Sequence, residues 1–384
     1  MYTYPPDLCV DVRLEESFAT EISFKQLTLR GQKVRSKKGA FIRVFDGRRW
    51  YYSSVTSLGQ VQAQIDSLAQ MAAGNREIRK HPLVNAFEVH QEQKINFERD
   101  SVAKIPVQEK QALLEKIINQ IKDPAIVNHN SYYVDKKTIR SFYSSKGSAL
   151  SYDVQTCGIR LNLDIVSANQ KDQMGVSKGA SFFHDLKDIG AYLQKEIAKN
   201  IAFVGQAQPV KPGEYPVLLS PEATGIFTHE SFGHKSESDF MVGDETMKAE
   251  WAWGKRVGAG LLTIIDDGTE SGNGYTPYDD EGTKAKKTKI ISRGLLTGRL
   301  HSAATGVALE EDLTGNARAL NFEFEPIVRM TTTYIAPGQR PLKEIIAEMK
   351  HGIYLDTLKH GSGMSTFTLA PARAYLIENG KITT

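Results

Sequence analysis

The residues best suited to chemistry lie together in the stretch His229-Glu230-Ser231-Phe232-Gly233-His234. Two imidazoles and a nearby carboxylate are typical of hydrolytic zinc sites, where neutral ring nitrogens bind the ion and a free carboxylate transfers a proton. Zinc lowers the pKa of its bound water to about 7. We therefore interpret His229 and His234 as ligands of a divalent metal, most simply zinc, and Glu230 as the general base. The alternative is two histidines that happen to be close together on a surface helix.

The spacing of the two histidines predicts an irregular helix. Side chains at i and i+4 lie about 40° apart around a regular helix, whereas those at i and i+5 lie about 140° apart. His229 and His234 can share one ion only if the helix bulges, with an i→i+5 hydrogen bond, or unwinds at its end. Gly233, just before the second histidine, is expected to permit the irregularity at low cost.

The residues before the motif predict how that helix begins. The short apolar run Val217-Leu218-Leu219 has the texture of a strand. Ser220 then suits the N-cap, Pro221 the first helical position, and Glu222 the positive end of the helix dipole. We expect a strand-to-helix connection that delivers the motif at the helix end.

The first half of the chain alternates between strand and helix patterns. Asp46-Gly47, between two apolar runs, predicts a tight hairpin. Val61, Ile65, Leu68 and Met71 fall on one helical face. A second helix is expected from about Pro106, strands over residues 131–169, and a third helix around Leu186–Ile197. Residues 205–216 hold three prolines and two glycines, as in a connection between domains.

The second half is predicted to be largely β-structure, with one helical interlude at residues 342–349. The fold class is therefore α/β in the α+β sense. We expect an N-terminal mixed α/β domain over residues 1–208, followed by a largely antiparallel β-barrel or sandwich over residues 209–384 that carries the histidine helix.

Composition restricts the class of protein. The chain has 384 residues, 40% hydrophobic and 24% charged, with a net charge of only +3, which argues against direct binding to nucleic acid. Its two cysteines, Cys9 and Cys157, do not form a disulfide framework or a CxxC metal site. The sequence has no signal-peptide pattern and no long apolar run. We therefore expect a cytoplasmic protein that does not span a membrane.

Further segments accompany the histidine motif along the chain. Residues 217–225 lead into it, and Glu237 and Asp239 follow it directly. The later segments are residues 263–268, 278–283, 294–301, 314–318, 326–331 and 374–380. Together they resemble the TldD/PmbA metallopeptidases, once called modulators of DNA gyrase. Residues 11–16 in the first half are similar as well.

This resemblance implies a function and a set of residue roles. The TldD-like branch keeps the His-Glu-x-x-x-His motif and the PmbA-like branch has lost it, so the chain resembles the catalytic branch. The family implies His229 and His234 as ligands, Glu230 as base, and hydrolysis of unfolded or extended peptides held as an added strand. It also implies a homodimer, or a heterodimer with a PmbA-like chain. His301 and Arg329 fall in matching segments, where they are expected either to contact substrate or to have structural roles.

The family's third metal ligand is a cysteine in a C-terminal segment beyond residue 384, and neither Cys9 nor Cys157 matches it. Glu237 is a candidate replacement, although a supporting carboxylate is the simpler interpretation. The site is expected to be incomplete in this chain, which leaves a second hypothesis open: a catalytically inactive peptide-binding or assembly partner. A role in DNA topology is a third, which the modest charge disfavours. The acidic run Asp279-Asp280-Glu281 is interpreted as a polar turn that shapes the cleft, since its spacing does not fit an EF-hand.

Overall fold

The computed structural model describes residues 2–363 and 366–383. The strands are β1 (Cys9–Lys25), β2 (Thr28–Phe45), β3 (Trp50–Val55), β4 (Gln91–Lys94), β5 (Ile126–Ser144), β6 (Ala149–Ser167), β7 (Gln170–Ala180), β8 (Val217–Leu219), β9 (Ile264–Asp267), β10 (Lys287–Ser292), β11 (Leu295–Leu296), β12 (Ala317–Arg318), β13 (Ile327–Val328), β14 (Thr333–Ile335), β15 (His351–Gly363), β16 (Phe367–Glu378) and β17 (Lys381–Ile382). The α-helices are α1 (Val61–Met71), α2 (Pro82–Ala86), α3 (Val107–Ile118), α4 (Gly190–Gln206), α5 (Pro221–Thr228), α6 (Glu245–Glu250), α7 (Ala303–Leu309) and α8 (Leu342–Glu348).

The first half is built on one large sheet in the order β3-β2-β1-β5-β6-β4, with β7 also paired to β6. Its pairs are antiparallel apart from β4 with β6. The predicted hairpin at Asp46-Gly47 is confirmed, and Gly47 has the positive φ (95°) that favours glycine in such a turn. The strand β1 is long, and β2 and β5 pair with it along most of its length.

Helices cover this sheet and close its core. Alternate residues of β6, such as Ile159, Leu161 and Leu163, are buried against α3 and α4. The helix α1 packs Val61, Ile65 and Leu68 onto β1 and β2. Met71, predicted on the same face, is 65% exposed because it is the last residue of α1. The helix predicted from Pro106 is confirmed as α3, for which Pro106 is the N-cap residue.

The second half contains smaller, mainly antiparallel sheets. One has the order β11-β10-β9-β14 and another the order β17-β16-β15-β8, in which β8 runs parallel to β15. The fold class is thus confirmed as mixed α/β with antiparallel sheets, whereas the boundary at residues 208 and 209 stays a prediction. Among the helices of residues 2–363 and 366–383, none combines the length and apolar character needed to cross a bilayer.

The acidic run at residues 279–281 is buried at the junction between the two halves. It is therefore less exposed to a cleft than its interpretation as a polar turn implied. Asp279, Asp280 and Glu281 are each at most 4% exposed. Arg43 of β2 donates to Glu281 at 2.9 Å and pairs with Asp11 of β1 at 2.8 Å. Burial raises the pKa of the Asp280 carboxyl, but Arg140 and Arg13 outweigh this effect and lower it below its usual value. The carboxylates of the run therefore accept hydrogen bonds from side chains and backbone amides of the protein itself.

Removal of Arg43 is expected to weaken the fold strongly. Arg43→Met would leave the carboxylates of Asp11 and Glu281 buried without their cation, a change that typically costs about 3–5 kcal/mol. Urea denaturation of the purified variant measures the loss. The control is Lys38→Met, which breaks the pair with Glu16, in which both side chains are more than half exposed, and should cost at most about 1 kcal/mol. Equal losses in the two variants would contradict the importance of this junction.

Candidate metal centre

The helix α5 begins as the sequence predicts. Ser220 accepts a hydrogen bond from the Ala223 amide at 3.1 Å, so it is the N-cap, and Pro221 is the first helical residue. The Ser220 hydroxyl also donates to the carbonyl of Asp356 in β15 at 2.5 Å. Because β8 pairs with β15 as well, the start of the helix is fixed to β15 both by the preceding strand and by Ser220.

The end of α5 has the predicted irregularity. Residues His229–Gly233 form one π turn, closed by the His234 amide, which donates to the carbonyl of His229. A single 3₁₀ turn, His234–Ser236, follows. The wider π turn brings both histidines to one side of the helix, as an i→i+5 hydrogen bond was expected to do.

The two imidazoles and the carboxylate of Glu230 converge. The ring centroids of His229 and His234 lie 4.6 Å apart with the planes at 80°. One ligand atom from each of His229, Glu230 and His234 lies within 4.8 Å of the others. Since zinc–nitrogen bonds are about 2.0–2.1 Å long, two ligands of one ion are about 4 Å apart at most. The set therefore fits a small divalent cation after side-chain rotations that bring the ligand atoms closer by about 1 Å.

The surroundings of His229 favour a metal-binding state. Desolvation, followed by the effect of the neighbouring His234 ring, lowers the pKa of the His229 imidazole below its usual value. A lower pKa keeps the ring neutral near pH 7, and only the neutral imidazole offers a lone pair to a cation.

A buried carboxylate orients the second histidine. Glu237 is fully buried and its Oε2 lies 3.1 Å from Nδ1 of His234. Arg329 donates to the same oxygen at 2.9 Å. Because a carboxylate only accepts hydrogen bonds, Nδ1 of His234 carries the proton and Nε2 keeps its lone pair for a cation. Glu237 thus orients His234, and this geometry favours that role over the direct replacement of a third ligand that was considered from sequence.

Gly233 is needed for a different reason from the expected one. Its backbone angles, φ −62° and ψ −58°, are ordinary helical values that any residue adopts. The constraint is space, because a Cβ atom at residue 233 would overlap Sδ of Met330. Met330 is buried, at 6% exposure, in the core of the second half. Glycine therefore lets the π turn lie directly on this core.

The hairpin β15–β16 packs against α5 and against the π turn that carries Glu230. A Cβ atom on Gly361 of β15 would lie 3.3 Å from Cγ of Glu230. Phe367 of β16 packs edge-on against Phe227 of α5, with ring centroids 5.1 Å apart. The side chain of Glu230 therefore packs closely against the backbone of β15.

The motif faces a cavity of about 790 Å³ between the large sheet and the second half. His229, His234 and Glu237 form part of its wall. Strands β5 and β6 contribute Lys136, Thr138, Arg140, Val154, Gln155 and Thr156, and the remaining wall includes Tyr275 and residues from 318–330. No sequence pattern indicated the wall from β5 and β6, because its residues come from strands about 75–100 positions before the motif.

The other candidate residues have different environments. Arg329 is on the cavity wall and 46% exposed at its side chain, a position consistent with the predicted substrate contact. His301 is 1% exposed, and its ring nitrogens lie 3.2 Å from the Thr305 hydroxyl and 3.0 Å from Glu311. This position gives no support to a substrate contact for His301 and favours its structural alternative.

Both cysteines, Cys9 of β1 and Cys157 of β6, are buried in the core. Burial raises the pKa of the Cys9 thiol to about 11 and that of Cys157 to about 12. At neutral pH each thiol stays protonated and lacks the thiolate form that binds metals. Within the described part of the chain, the one close set of three possible metal-binding groups is that of His229, Glu230 and His234.

Two sequence profiles of one protein family match the chain. The PmbA/TldA metallopeptidase domain 1 matches residues 10–76, and the PmbA/TldA metallopeptidase C-terminal domain matches residues 212–384. Together they cover more than half of the sequence. The chain belongs to the TldD/PmbA family. The resemblance inferred from the motif and its flanking segments is thereby confirmed, and the family is one of metallopeptidases.

Individual TldD/PmbA relatives match over nearly the whole chain. A metalloprotease of Methanocaldococcus jannaschii is 29% identical over 97% of this chain and 84% of its own length. A zinc metalloprotease TldD homolog of Saccharolobus solfataricus is also 29% identical, over 97% of this chain and 83% of its own length. The crystal structure of TldE from Thermococcus kodakarensis has the same fold, with a TM-score of 0.79 and 17% identity over 97% of this chain and 86% of that one.

Gly233→Ala is expected to destabilise the protein because the new methyl group must displace the buried Met330 side chain. Overpacking of this kind typically costs about 1–3 kcal/mol, measurable by urea denaturation. The matched control is Gly225→Ala in α5, where a Cβ atom meets nothing within 4 Å. Alanine favours a helix by up to about 1 kcal/mol over glycine, so this control should be stabilised or unchanged. A stable Gly233→Ala variant would contradict the steric role.

Proposed function

We propose that the chain is a metal-dependent peptidase in which His229 and His234 hold the cation and Glu230 is the general base. The observation that carries the proposal is the π turn, which brings these three side chains together, with both histidines on the wall of a large cavity. Membership of a metallopeptidase family supports it. Zinc is the cofactor we favour, because two imidazoles with a carboxylate beside them are its usual environment in hydrolases.

Each residue of the site would have a separate role in hydrolysis. A bound divalent cation would polarise the scissile carbonyl and lower the pKa of a water molecule. Glu230 would accept a proton from that water and pass it to the leaving amine, which is the role of a general base that then acts as an acid. Glu237 would hold His234 in the tautomer that leaves Nε2 free. Arg329, which pairs with Glu237 on the cavity wall, would contact the substrate backbone.

An extended peptide is the substrate class that the cavity favours. Its volume of about 790 Å³ accommodates a few residues and not a folded domain. Strand-like backbone pairing in such a cleft gives affinity with little dependence on sequence. Pairing of two chains, as a homodimer or with a PmbA-like partner, stays a prediction from the family resemblance, and analytical ultracentrifugation of the purified protein would test it.

A peptide-binding partner without catalysis is the second candidate function. The observation that favours it is that, once Glu230 acts as base, the described residues offer only His229 and His234 as ligands. Catalytic zinc sites generally use three protein ligands. Metal analysis of the purified protein separates the two candidates, since one equivalent of metal supports the peptidase and a metal-free, chelator-insensitive protein supports the binding partner.

Glu230→Gln is expected to abolish peptide hydrolysis, because an amide cannot take up the proton. Loss of general acid–base catalysis typically costs a factor of about 10²–10⁴ in rate. Cleavage of an unfolded, fluorescence-quenched peptide measures the rate, and urea denaturation checks that the fold is intact. Glu222→Gln, at the start of the same helix, should retain the rate. Unchanged turnover in Glu230→Gln would remove this residue from the mechanism.

Glu237→Gln is expected to weaken metal binding by a factor of about 10–100, the usual effect of changing a group that orients a metal-binding histidine. The glutamine can still accept from His234 but lacks the charge that polarises the ring. Competition with a chromophoric zinc chelator measures the affinity. Glu250→Gln, which alters an exposed pair with Lys235, is the control. Equal affinities in all three proteins would contradict the supporting role of Glu237.

A further inference from the structure

Three large hydrophobic side chains form part of the cavity surface beside the histidines. We call this surface, defined by Leu320, Phe324 and Ile327, the apolar wall. All three side chains line the cavity that His229 and His234 also line. They are unusually open to solvent for large hydrophobic groups, at 75%, 49% and 41% exposure. Leaving such side chains in water costs free energy that the fold does not recover, so three of them on one concave surface point to a ligand.

The loop that carries the apolar wall is fixed to the large sheet. Arg13 of β1 donates to the carbonyls of Asn321 and Phe324 at 2.9 and 2.8 Å. The Ala319 amide donates to Asp280 at 2.7 Å.

Phe322 is the buried anchor of the same loop. It is 4% exposed and lies so close to Gly39 of β2 that a Cβ atom there would overlap its ring. The loop therefore directs Phe322 inward and holds the neighbouring apolar side chains outward. Groups that are ordered before a ligand arrives lose little entropy on binding, which is typical of a recognition surface.

The chain connects the apolar wall directly to the metal centre. Ile327 is followed by Arg329, which donates to Glu237, and by Met330, which packs on Gly233. Other parts of the cavity are polar or basic, including Lys136, Gln155 and Arg318. An occupant with an apolar side chain on one side and a hydrogen-bonding backbone on the other would match both surfaces.

We infer that the apolar wall is a subsite for one large aliphatic or aromatic side chain of the peptide substrate, close to the scissile bond. This inference rests on the proposed function, and it adds a preference at one position to otherwise sequence-independent backbone binding. Leu320, Phe324 and Ile327 are then specificity-determining residues. A surface between two copies of the chain is the competing use of the same side chains, and the experiment below distinguishes the two.

The test measures peptide binding without cleavage, in the Glu230→Gln protein loaded with zinc. Fluorescein-labelled Gly-Ser decapeptides carry either one leucine or one asparagine, which has nearly the same shape, at the same position. Burial of a leucine side chain predicts a Kd about tenfold or more below that of the asparagine peptide. The additional double substitution Leu320→Ser with Phe324→Ser should bring the ratio of the two Kd values towards 1.

The control is the additional substitution Leu261→Ser, which changes an equally apolar side chain that is 98% exposed and outside the cavity lining. It should keep the tenfold ratio. A ratio of 1 in the parent protein, or an unchanged ratio in the double variant, would overturn the subsite. So would a double variant that sediments as a monomer while its parent is a dimer, since the wall would then join two copies. Failure of the proposed function would differ: the leucine peptide would bind tightly, yet the wild-type protein would cleave nothing.

Discussion

The site depends on one hydrogen bond, from the amide of His234 to the carbonyl of His229. An α-helical turn at this point would place the two imidazoles about 140° apart, and no shared cation would be possible. The π turn removes this angular conflict, but it widens the helix and needs a close neighbour to remain packed. That neighbour is Met330, which occupies the space that a side chain at residue 233 would take. The geometry of the two histidines and the packing of the core are therefore a single constraint in this protein.

The environment of the turn explains why the irregular conformation is retained. On its N-terminal side Ser220 fixes α5 to β15 through its hydroxyl and amide. On its C-terminal side the Leu300 amide donates to Ser236, and Ser238 donates to the Leu300 carbonyl. A bulge held at both ends cannot relax into a regular helix without breaking these bonds. The same bonds place Glu237 beneath the ring of His234, so its burial follows from the local backbone path.

Features that depend on neighbouring residues were predictable from the sequence, and features that depend on distant residues were not. The cap at Ser220, the hairpin at Gly47 and the π turn were predictable because each depends on a few neighbouring residues. The strand β15 was not predicted, since its glycines and polar residues hide any alternation, and its pairing with β16 and β8 decides its conformation. The steric role of Gly233 also lay outside the sequence pattern, because its partner Met330 is almost a hundred residues away.

The cavity shows the same division on a larger scale. Its side next to the proposed metal centre is formed by residues of the histidine motif, whereas its floor and loop anchors come from β1, β2, β5 and β6, far earlier in the chain. Gly39 is the clearest instance, since its missing side chain leaves room for the Phe322 ring. A methyl group at residue 39 would tilt that ring and shift the neighbouring cavity surface while leaving the histidines in place. Random mutagenesis screened for an altered choice of bound peptide should consequently recover hits among the first fifty residues, remote in sequence from the histidine motif.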